Sequence, residues 1–69
     1  MYLYYTRGEF KKKIGEPSTS GEAIKMIKDY CQERDYKIHY IRMTVEKDGM
    51  RYDVGSHTEF FFLSPIDKK

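Results

Sequence analysis

The chain has one cysteine, two prolines and no tryptophan in its 69 residues. A lone Cys31 closes no internal disulfide, and its place among apolar residues at helical spacing marks a buried thiol of a reducing compartment. No stretch approaches the roughly 18 apolar residues of a membrane span, and no basic segment leads into an apolar run near the N-terminus. These absences predict a soluble, cytoplasmic protein with no membrane partner. Two histidines and the cysteine, at positions 31, 39 and 57, match no zinc spacing, and the run from Gly8 to Gly15 is not a phosphate-binding loop. Neither a metal nor a cofactor is expected.

What the chain does have is charge and aromatic rings. Charged residues make up 35% and aromatics 16%, a ring content too high for a disordered segment. The length fits one domain, residues 1–69, and a core of this size rarely supplies more than roughly 3 to 5 kcal/mol of net stability. With no disulfide and no metal, association with a partner or a second copy is the remaining support. The net charge of +2 is unevenly placed, with Arg7, Lys11, Lys12 and Lys13 set against Glu9 alone in the first fifteen residues.

Tyr2 to Thr6 favour a first strand that ends at Arg7-Gly8. Residues 7–18 read as a basic loop, extended at most around Phe10 to Ile14. Thr19 with Glu22 fits a capping box, in which hydroxyl and carboxylate each satisfy a free backbone N–H at a helix start. Ala23, Ile24, Ile27, Tyr30 and Cys31 then recur at three- and four-residue spacing, which predicts an amphipathic helix ending near Arg34 or Asp35.

From Lys37 to Lys47 the odd positions His39, Ile41, Met43 and Val45 alternate with Arg42, Thr44 and Glu46, the pattern of a half-buried strand. Asp48-Gly49 suits a two-residue type I′ turn. That turn sets Lys47 opposite Met50, Glu46 opposite Arg51, Val45 opposite Tyr52 and Met43 opposite Val54. Glu59 to Leu63 form a last strand whose three phenylalanines emerge on both faces, and Pro65 begins a flexible tail over 65–69. The expected fold class is α+β: one helix packed on a small antiparallel β-meander, in the order β-α-β-β-β.

Catalytic equipment is sparse. Cys31 reads as core, and Ser56, His57, Thr58 and Glu59 share one short turn whose own backbone accounts for their polar groups. No catalytic residue is assigned, and the chain is expected not to be an enzyme. If the helix covers the face with Ile41, Met43, Val45, Tyr52 and Val54, the opposite face carries Tyr40, Arg42, Arg51 and part of the Phe60 to Phe62 run. Rings mixed with guanidinium groups are typical of interface hot spots, so Tyr40, Arg42, Arg51, Phe60 and Phe62 are the candidate partner-binding residues. The other reading of that face is a second core layer, covered by the first strand and the lysine loop. An alternative function, nucleic-acid or phosphate-ligand binding, falls to Arg7, Lys11, Lys12 and Lys13 beside Tyr2, Tyr4 and Tyr5.

Asp35-Tyr36, Ile41-Arg42, the Asp48-Gly49 turn and Tyr52 after it, following one capped helix, resemble small bacteriophage-encoded inhibitor proteins, some anti-CRISPR proteins among them. The matching stretch is residues 35–54. The resemblance implies a non-catalytic protein that blocks a host protein or defence complex through a charged, aromatic surface. It carries over no functional residue. The positive net charge departs from the acidic, DNA-mimicking kind.

Overall fold

The computed structural model describes residues 1–65. Five strands and one helix follow in the order β1 (Tyr2–Arg7), β2 (Phe10–Gly15), α1 (Ser20–Glu33), β3 (Arg42–Glu46), β4 (Gly49–Asp53) and β5 (Glu59–Ser64). The strands form one antiparallel sheet ordered β2-β1-β5-β4-β3, in which β3, β4 and β5 are a meander. The α+β class and the single helix are as the sequence predicts. The flexible tail expected over 65–69 lies, past Pro65, outside the described residues.

The helix begins as its cap dictates: the Thr19 hydroxyl accepts from the Glu22 N–H at 3.1 Å, with Thr19 in an extended conformation. Glu22 Oε1 reaches one residue further back than expected, to the Ser18 N–H. At the other end Asp35 takes φ +58, and the N–H groups of Tyr36 and Asp35 close onto the carbonyls of Cys31 and Gln32. That is a Schellman ending with aspartate where glycine is commonest. Ala23, Ile27 and Cys31 face Leu3, Tyr5, Tyr52, Val54, Phe61 and Leu63, the buried cluster on one side of the sheet.

The basic loop over 7–18 is corrected in part. Phe10–Gly15 is a strand paired with β1 from Arg7↔Phe10 to Leu3↔Gly15, across a two-residue loop of Gly8 and Glu9. Gly8 takes φ +59 at the first loop position, where a two-residue hairpin needs positive φ. Three lysines in a row favour a loop on propensity alone; pairing with the apolar β1 overrides that preference. β2 is an edge strand, where lysines also discourage pairing with another chain.

The strand read over residues 37–47 shortens to Arg42–Glu46, and its turn moves. The observed pairs are Glu46↔Gly49, Val45↔Met50, Thr44↔Arg51 and Met43↔Tyr52, so Lys47-Asp48 forms the loop and Gly49 joins β4. Among the described residues Asp35 alone has positive φ outside glycine, so this is not the type I′ turn expected. Gly49 can occupy this ladder position because it has no Cβ, which would land on the Leu63 carbonyl oxygen of β5. Each partner shifts by two positions, which leaves every side chain on its expected face. Glu46 still meets Arg51 diagonally, Oε2 to Nη2 at 3.4 Å.

Val45 is not beside Tyr52 under the helix: Tyr52 is fully buried, while Met43 and Val45 are 50% and 76% exposed. A helix about 10 Å wide cannot span five strands spaced about 4.8 Å apart. It covers β1, β5 and β4, touches the end of β2 through Met26 beside Gly15, and leaves β3 at the far edge exposed.

Candidate interaction surface

Ladder pairing places the functional candidates in rows. Arg42, Asp53, Phe60, Thr6 and Lys11 line up across all five strands, and Thr44, Arg51, Phe62, Tyr4 and Lys13 form the next row. The alternate positions, Tyr52, Phe61 and Tyr5 among them, carry the core against the helix, so both rows face the other way. Among the described residues no helix or strand packs on this side, although within it Tyr4 is buried and Phe60 and Phe62 are half-buried. The covering expected from the first strand and the lysine loop does not occur, because both belong to the sheet itself.

Four of the five partner-binding candidates, Arg42, Arg51, Phe60 and Phe62, stand together in these rows. Tyr40 precedes β3, and the Arg42 guanidinium lies 5.3 Å from its ring centroid. The anion-binding set is divided. Lys11 and Lys13 join the open face, whereas alternation along the hairpin gives Lys12 and Arg7 to the helix side. There Arg7 lines a shallow groove with Tyr5, Phe10, Tyr30 and Arg34.

Cations sit on the open-face rings. Lys11 Nζ is 4.4 Å from the Tyr4 centroid, Lys13 Nζ 5.1 Å from that of Tyr2, and the Arg51 guanidinium 5.3 Å from that of Phe60. Each such contact contributes about 0.5 to 1 kcal/mol at an exposed site and holds a long side chain flat on the sheet. The surface is thus a low, ordered pavement of rings and positive groups, with Asp53 and Glu46 as its acidic members. From sequence alone the β1–β2 residues and the β3–β5 residues are rival sites. Gly8, in a loop of two residues, was the signal that could have joined them.

Of the side chains weighed for chemistry, Cys31 lies on the helix side and His57 at the border of the open face. Cys31 is buried under the helix, and burial pushes its thiol pKa up, against a smaller lowering by Arg34. The Ser56 hydroxyl accepts from the Thr58 and Glu59 N–H groups at 3.2 and 3.0 Å, which commits it to the turn. His57 is exposed beside it, at a shallow depression shared with Thr6, Arg51 and Phe60. Among the described residues no group of three or more His, Cys, Asp or Glu could hold a metal ion, and no helix is long and apolar enough to cross a membrane.

Comparison with protein-family models, with curated proteins and with solved structures gives no match for this chain.

Proposed function

We propose that this is a non-catalytic interaction protein that uses its open sheet face to bind, and thereby block, an acidic surface on another protein. The observation that carries the reading is the meeting of Arg42, Arg51, Phe60 and Phe62 with Lys11 and Lys13 in two adjacent rows. Rings and guanidinium groups held flat lose little freedom on binding, which is how a few residues come to dominate an interface. An inhibitor role against a host protein accords with the resemblance of residues 35–54 to phage inhibitors.

The protein, immobilised and challenged with a bacterial lysate, tests this. Wild type retains a protein that Arg51→Ala and Phe60→Ala each lose at least tenfold while keeping their helix content. Equal retention by all three contradicts the proposal.

A second reading, binding of single-stranded nucleic acid, is favoured by Lys11 and Lys13 sharing rows with the half-buried rings of Phe60 and Phe62. Against it, the cations already occupy ring faces that bases would need. An oligonucleotide titration showing affinity that falls steeply with salt would favour nucleic acid over an acidic protein surface.

A further inference from the structure

The two edges of the sheet differ. β2 presents Lys11, Lys12 and Lys13 in succession, so two such edges brought together repel. β3 has no comparable block. Its sequence is Arg42-Met43-Thr44-Val45-Glu46, and on its helix side Met43 and Val45 stand 50% and 76% exposed.

We infer that β3 is the contact strand of a symmetric homodimer, pairing antiparallel with β3 of a second copy in a register centred on Thr44. Self-complementarity is the argument. In that register Arg42 lies opposite Glu46 of the other copy, twice by symmetry, so each charged end meets its counter-charge. Met43 meets Val45 of the other copy, also twice. The four side chains form one apolar strip on the helix side, where each chain alone leaves its own pair in water. No other register centred within β3 pairs both charges and both apolar residues.

Backbone geometry agrees. Lys47-Asp48 is a two-residue hydrogen-bonded turn closed by Glu46 and Gly49, so Glu46, Thr44 and Arg42 direct their backbone groups toward β4. The intervening Met43 and Val45 direct theirs outward. Those are the residues that exchange N–H···O bonds in the proposed pairing, while the two Thr44 residues form the close, non-hydrogen-bonded pair at its centre. The product is one continuous ten-stranded sheet with both open faces on the same side. The inference goes beyond the proposed partner and stands or falls without it.

The contact is small, so the dimer is a weak one whose population rises with concentration. Light scattering on the purified chain from about 10 µM to about 1 mM should show the mean mass climbing toward twice the chain mass. Val45→Lys, at a position largely in water in the single chain, should weaken association at least tenfold. Central Thr44 residues have Cα atoms about 4.5 Å apart in this register, within reach of a disulfide. Under mild oxidation Thr44→Cys should therefore cross-link at least tenfold faster than Lys11→Cys on the other edge. Monomer mass at every concentration, or cross-linking of Thr44→Cys no faster than that of Lys11→Cys, overturns the inference.

Discussion

The Tyr5 hydroxyl donates to Glu59 Oε1 at 2.7 Å, from β1 across to the first residue of β5. Arg34, just past the helix, donates to the same oxygen at 2.8 Å and lays its guanidinium 4.8 Å from the Tyr5 centroid. One carboxylate thereby ties the end of α1 to β1 and β5.

The titration of this cluster gives a signed prediction. The Tyr5 hydrogen bond, aided by Arg34 and Arg7, holds the Glu59 carboxyl below its ordinary value of 4.5 despite partial desolvation. Its contribution to stability is present above that ordinary value and is lost as pH falls through the lower folded one. Tyr5 is pushed above 10.0, by burial first and then by Glu59, so its contribution holds below 10 and is lost as pH rises through the raised value. Melting curves should show Glu59→Gln less stable than wild type near neutrality, with the gap narrowing in acid below about pH 4. Tyr5→Phe should cost about 1 kcal/mol near neutrality. A gap that does not change with pH would contradict this account.

Tyr52 is fully buried on β4, and among the described residues its hydroxyl has no hydrogen-bond partner. A lone buried hydroxyl gives up its water for nothing in return. Tyr52→Phe is therefore expected to leave stability unchanged or raise it by about 1 kcal/mol in urea unfolding. A loss of comparable size would mean that the hydroxyl is satisfied.

Two glycines separate close approach to backbone from close approach to a side chain. At Gly49 a Cβ would strike the Leu63 carbonyl oxygen, which cannot move without opening the β4–β5 ladder. At Gly15 a Cβ would come 2.6 Å from Met26 Sδ, on a flexible side chain that can swing away. Gly49→Ala should cost about 3 kcal/mol and Gly15→Ala under about 1 kcal/mol, compared by chemical denaturation.

How much of this was legible in the sequence follows from where local and long-range forces agree. The helix was readable because Thr19, Glu22 and the Ala23-Ile27-Cys31 stripe all point the same way. The two faces of β3 and β4 were readable because a register shift of two preserves alternation, even though the turn moved to Lys47-Asp48. β2 was missed because its only local signal is Gly8, and its lysines argue against a strand until β1 is there to pair with. The exposure of Val45 was missed because a periodic pattern says which way a residue faces and not how far the covering helix reaches. For the site, the rings and arginines of β3 to β5 could be grouped by alternation. That Lys11 and Lys13 continue the same rows depends on β1 lying beside β5, a contact that links residues more than fifty positions apart.

The most direct test of the open face as the working surface is an amide chemical-shift map of the isotope-labelled protein with and without its captured partner. Perturbations centred on Lys11, Lys13, Arg42, Arg51, Phe60 and Phe62, with Lys25, Lys28 and Asp29 on the exposed side of α1 unmoved, are the result expected. A footprint on the helix, with the two rows unchanged, would contradict it.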